Sequence, residues 1–193
     1  MSYDYSDSCY PHIKDVPYKG PWREAYGGIR HPAAEPPPVK ALRAIGVDYS
    51  GKSGAPCLVV IVDRIDGAKN KEWLWHTDLN GVKEKTDGFV IERGDASFSG
   101  TFASPAKVVV DASLEARKTT KSSGNAAGSA IEMKISAVKV HGEDPTAGHF
   151  FFVGTLQRGP APKVTVTGSG LDSVIRIGGQ TVWFDGSKVV FGQ

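Results

Sequence analysis

The chain has 193 residues, room for one substantial core. Its 23 Lys and Arg against 21 Asp and Glu leave a net charge of +2, which excludes a strongly basic nucleic-acid binder and an acidic solvating chain. Hydrophobic residues reach 40%, too many for disorder throughout, and 23 Gly with 12 Pro impose frequent turns at the expense of long helices.

Residues 1–38 stand apart. Tyr3, Tyr5, Tyr10, Tyr18 and Tyr26 fall here, with prolines at 11, 17, 21, 32 and 36–38, and no period of 2 or 3.6 is visible. Pro36-Pro37-Pro38 favours an extended polyproline path. The stretch reads as an irregular arm lying along the body through its aromatic rings; a disordered tail is the alternative for residues 1–15. The opening Met1-Ser-Tyr-Asp-Tyr5 lacks the basic start and apolar core of a signal peptide. No apolar run approaches the ~18 residues of a membrane span.

From Val39 the pattern becomes strand, turn, strand. Val39–Val47 alternates apolar and polar residues, Tyr49–Pro56 is a Ser/Gly turn, and Cys57–Val62 is an apolar run of the kind a central strand covered on both faces would have. Trp73–Trp75, Phe89–Arg93, Ser97–Phe102 and Lys107–Asp111 follow as short strands. Ile131–Val140 suits a period of two, with helix as runner-up because Ala, Met and Lys are good helix formers. Phe150–Leu156, Lys163–Val166, Ser173–Ile177, Thr181–Phe184 and Lys188–Phe191 complete the set. Asp185-Gly186 between two alternating runs signals a hairpin with a type I′ turn, and Gly178-Gly179 marks another tight reversal. Arg117–Ser129 has no large apolar residue and reads as a mobile loop carrying Arg117, Lys118 and Lys121. The expected fold is all-β: an antiparallel, supersandwich-like β-sandwich over 39–193 behind the arm of 1–38.

Gly46-Val-Asp-Tyr-Ser-Gly51-Lys52-Ser53 matches the phosphate-loop pattern, and Leu58–Asp63 resembles the metal-binding strand that accompanies it. The chemistry needs a helix straight after the loop to hold phosphates. Pro56 and a β-branched run follow instead, so the match reads as a coincidence on a hairpin turn. Gly51-Lys-Ser53-Gly-Ala55 lacks the closing glycine of a nucleophile elbow. Cys9 and Cys57 can form one disulfide, although the apolar run after Cys57 favours a buried thiol.

His76 follows Trp73-Leu-Trp75 and Asp63 ends the preceding apolar strand. Were those strands neighbours, the two side chains would suit a divalent-metal site or an orienting carboxylate–imidazole pair; a hydrogen-bonded structural histidine is the plainer reading. His141, Glu143, Asp144 and His149 cluster near a turn, as cation ligands or ordinary loop residues. Trp22, Trp75 and Trp183 are candidate sugar-stacking rings, although a Trp in alternation is more often core, Trp183 above all.

The stretch Arg43–Thr77, R-A-I-G-V-D-Y-S through C-L-V-V-I-V-D-R-I-D-G to E-W-L-W-H-T, resembles the β-sandwich of heparinase II/III-like polysaccharide lyases. There a strand closing on Asp-Arg is followed by a W-x-x-H-like strand. The tail V-I-R-I-G-G-Q-T-V-W-F-D-G-S-K-V-V-F is similar to that family's closing hairpins. The resemblance implies a C-terminal module, with catalysis by β-elimination residing in a helical toroid that precedes the sandwich and supplies the tyrosine acid/base. The family's H-x-H-x-D-type segment is absent upstream of Asp63. By resemblance Asp63 and His76, with His31 as third ligand, would hold a structural divalent metal. Trp75, Trp22, Arg117 and Lys118 would meet an acidic polysaccharide. The expected function is a non-catalytic module that supports or binds such a glycan, secreted or periplasmic. A stand-alone carbohydrate-binding module and a structural protein forming homo-oligomers through residues 1–38 are the alternatives. Neither nucleic acid nor a membrane is an expected partner.

Overall fold

The computed structural model describes residues 2–4, 40–67, 71–120, 130–144 and 148–192. Among these residues the strands are β1 (Ser2–Asp4), β2 (Lys40–Asp48), β3 (Cys57–Asp66), β4 (Trp73–His76), β5 (Val82–Lys85), β6 (Gly88–Arg93), β7 (Ala96–Ser104), β8 (Val108–Thr120), β9 (Ala130–Gly142), β10 (His149–Arg158), β11 (Val164–Thr167), β12 (Val174–Ile177), β13 (Gln180–Phe184) and β14 (Val189–Gly192). Among the described residues the one helical element is a 3-10 turn at Gly170–Asp172. The fold is all-β, as the alternation implies. Ile131–Val140 is strand, inside β9. Val82–Lys85, with a single apolar residue at the sheet edge, is a strand that its composition conceals.

Three antiparallel sheets form. The large one has the order β1-β2-β3-β10-β7-β6-β5, a second β11-β12-β13-β14, and a third β4-β9-β8. The large sheet is apolar on both faces because β3 and β10 carry near-continuous hydrophobic runs. Ala44, Leu58, Val60, Val62, Phe151 and Val153 point to one side and meet Ile175, Ile177, Val182 and Phe184 of the four-stranded sheet. Ile61, Phe89, Phe102, Phe150 and Phe152 point to the other and meet Trp73, Val138 and Val140 of the three-stranded sheet. Two cores thus share one sheet. Glycines admit the rings of the second core: a Cβ on Gly100 would lie 2.5 Å from Phe152 Cε2, and one on Gly154 would overlap the Phe98 ring.

Three local expectations change. Arg117–Thr120 is not loop: it continues β8, which pairs with β9 out to Thr120↔Ala130, and residues 121–129 lie outside the described ones. The Asp185-Gly186 hairpin is not a type I′ turn, because only Gly186 has positive φ (97°). The ladder instead closes at Phe184↔Val189 around a four-residue loop. Asp185 Oδ1 accepts from the backbone N–H of Ser187 and Lys188, both 2.9 Å, which organises that loop. Cys57 is a free, half-buried thiol rather than a fully buried one; Cys9 lies outside the described residues. The Gly178-Gly179 reversal holds, joining Ile177↔Gln180 directly.

Candidate functional site

The phosphate-loop pattern spans the end of β2 and the hairpin turn before β3. A strand, β3, follows it where phosphate binding needs a helix N-terminus. The turn is held by the neighbouring hairpin: Gly179 N–H donates to Lys52 O at 2.8 Å. Gly178 (φ 56°) sits so near that a Cβ would lie 2.5 Å from Ser53 O.

Asp63 and His76 are not on neighbouring strands. β3 lies between β2 and β10, whereas β4 pairs with β9 in another sheet. Asp63 is buried and engaged by Arg43, its cross-strand partner on β2, through Nε–Oδ1 at 2.6 Å and Nη2–Oδ2 at 2.7 Å. His76 points away from the sandwich and is exposed, while Trp73 and Trp75 point in. His31 and Trp22 lie outside the described residues. Among the described residues no three His, Cys, Asp or Glu side chains converge as a metal site would need. In the His141–His149 cluster, Glu143 pairs with Lys107 at 3.7 Å and His141 Nδ1 lies 2.9 Å from Gly142 O.

The aromatic candidates divide. Trp75 is half-buried in the second core, stacked on Phe98 (4.9 Å between centroids) and Trp73 (5.7 Å). Trp183 is the opposite of the expectation. Val182 and Phe184 take the inward positions of β13, which turns Trp183 outward, half-buried over Gly192. Arg117 and Lys118 lie on β8, in register with Met133 and Glu132.

One concave feature with several polar side chains is one that no single motif announced. The four-stranded sheet packs over β2, β3, β10 and the Ala103 end of β7 on its face of the large sheet. Beyond it, β7 alternates Ser97, Ser99 and Thr101 toward that open side with Phe98, Gly100 and Phe102 toward the second core. β10 places Thr155 and Gln157 beside them, in register with Ser99 and Ser97. Gln157 Nε2 donates to Ser97 Oγ at 3.0 Å. A cleft of about 260 Å³ opens here, lined by Lys85, Ser99, Thr101, Thr155, Pro162 and Lys163 among others. Lys85, opposite Gly88 of β6, reaches it. Its Nζ donates to Thr101 Oγ1 at 3.4 Å and pairs with Asp87 at 3.3 Å. The cleft therefore offers two lysines, one of them paired with the Asp87 carboxylate that also lines it, and a row of hydroxyls on a sheet, a set that leaves one cation in excess for a hydroxylated anion. A row of hydroxyls at every second position of a strand flanked by phenylalanines was the available sequence signal, in S-F-S-G-T-F. Comparison with family models, curated proteins and solved structures found no match.

Proposed function

We propose that this protein is a non-catalytic β-sandwich module, similar to the C-terminal domain of heparinase II/III-like polysaccharide lyases, that holds an acidic polysaccharide. The reading rests on one observation: the cleft where Lys85 and Lys163 flank Ser99, Thr101 and Thr155. A uronate presents what this lining complements, a carboxylate beside ring hydroxyls. Lysine–carboxylate contacts supply charge-assisted hydrogen bonds, and the hydroxyl row fixes orientation. Lys85 is already braced by Asp87 and Thr101, so little of its side-chain freedom remains to be lost on binding.

Affinity electrophoresis through gels containing heparan sulfate or alginate tests this. Retardation is expected, decreasing with salt, and K85A/K163A is expected to weaken it by about tenfold. Unretarded migration, or retardation unchanged in the double variant, overturns the reading. New unsaturated ends after incubation with either polymer would overturn its non-catalytic part.

A second reading has its own observation. Val47 and Leu156 are 43% and 46% exposed on the face that carries the second core, beside half-buried Cys57, Val59 and Phe98. An apolar strip there suits a module that packs on another protein surface. A smaller particle for V47K/L156K than for the wild-type chain in light scattering would favour it.

A further inference from the structure

We infer that a second depression, on the other side of the four-stranded sheet, binds a neutral pyranose ring. It measures about 350 Å³ and is lined by Asp48, Ser50, Lys52, Gln180, Phe191 and Gly192. One wall is the end of β2 with the turn that follows; the other is Gln180 and Phe191 of the inward row of β13 and β14, with Gly192 beside them. This site is independent of the lysine cleft.

Gln180 carries the argument. It occupies the inward row of β13 with Val182 and Phe184 and is 5% exposed. Its Oε1 has no hydrogen-bond partner among the described residues. A buried amide oxygen without a donor is costly, and a ligand hydroxyl is the group that would relieve it. Around it the polar set is already ordered. Asp48 accepts from Ser50 N–H at 3.2 Å and from Ser50 Oγ–H at 2.7 Å. Ser50 Oγ accepts from Lys52 N–H at 3.2 Å. The Asp48 carboxylate has lone pairs beyond those two bonds, enough to accept from a further hydroxyl. The Lys52 ammonium makes no ion pair among the described residues and supplies donors. Phe191 adds a flat apolar wall, its ring fixed against the backbone of Gly46, where a Cβ would lie 2.8 Å from Cε2.

The two walls are locked together by the Gly179–Lys52 bond and by the close approach of Gly178 to Ser53. The site is thus preformed and loses little freedom on binding. Its charges, Asp48 and Lys52, cancel. A carboxylate, an amide and an ammonium beside an aromatic ring recognise vicinal hydroxyls and the C–H face of a sugar; an anion would meet the Asp48 charge.

The test is a ¹⁵N NMR titration of the full chain with methyl β-glucopyranoside, methyl β-glucuronide and Mg-ATP as separate probes. The glucoside is expected to shift the amides of Lys52, Gln180 and Gly192, with Kd on the order of 1 mM. K52A, an exposed substitution that leaves the core intact, and Q180L are each expected to weaken this by about fivefold or more. The K85A/K163A variant is expected to keep it, which separates this site from the polysaccharide cleft. Absent shifts, shifts confined to the Lys85 cleft, binding unaltered in K52A, or tighter binding of the glucuronide or Mg-ATP at these amides would each overturn the inference.

Discussion

Phe152 is where the second core is most exposed to a single substitution. Its ring is fully buried and lies 4.8 Å from Trp73, 5.0 Å from Phe102, 5.8 Å from Phe89 and 5.9 Å from Trp75, centroid to centroid. Phe152→Ala removes the ring that all four share. Buried Phe→Ala changes cost about 3–5 kcal/mol, and the lost ring pairs place this one at the upper end, about 4–5 kcal/mol. The neighbours cannot collapse into the space easily, because they are anchored on three different strands, β4, β6 and β7. For a domain of this size each kcal/mol moves the midpoint by about 2–4 °C, so a fall of about 8–20 °C is expected. Phe152→Leu keeps most of the volume and should lose under about 1.5 kcal/mol. Thermal unfolding followed by near-ultraviolet circular dichroism reads both the midpoint and the packing of Trp73 and Trp75. A midpoint shift in the alanine variant no larger than in the leucine variant would refute the claim that this ring is the centre of the core.

The Arg43–Asp63 pair is asymmetric, with side-chain exposures of 40% and 5%. Asp63→Ala removes the carboxylate opposite Arg43 at a guanidinium that water can reach, a loss of about 2–3 kcal/mol. Arg43→Ala strands a buried carboxylate and should cost more, about 3–5 kcal/mol; urea unfolding that ranks the two the other way would count against the pairing. Asp185 has its pKa held below the ordinary 3.8, first by the Lys188 and Ser187 backbone N–H groups and then by the Ser187 hydroxyl. A depressed acid stabilises the fold fully above its ordinary value, and that stabilisation disappears as pH falls through the depressed one. Thermal midpoints from pH 5 downward should therefore drop less steeply for Asp185→Asn than for wild type below about pH 4, and parallel curves would remove the loop-organising role.

Much of this protein follows from period two in the chain itself. Alternation settles which residues of β7 are Ser and Thr toward one side and Phe toward the other. It also sets Trp73 and Trp75 on one face of β4 with His76 on the opposite one. Turn chemistry marks Gly178-Gly179, and Pro56 with a β-branched run forecasts the strand that follows the phosphate-loop pattern. These are local properties, since a strand's faces depend on its own pleat. What period two does not encode is which strand lies beside which, or which apolar face another sheet covers. Pairing β4 with β9 separates His76 from Asp63, and pairing β2 with β3 gives Asp63 to Arg43 instead. Docking the four-stranded sheet by Val182 and Phe184 turns Trp183 outward, and leaves a cleft beside β5, β7 and β10 of the large sheet. Such choices are made by contacts between residues far apart in the chain, where register and burial are decided together. That is why the strands are legible in the residues and the sites emerge only in the folded molecule.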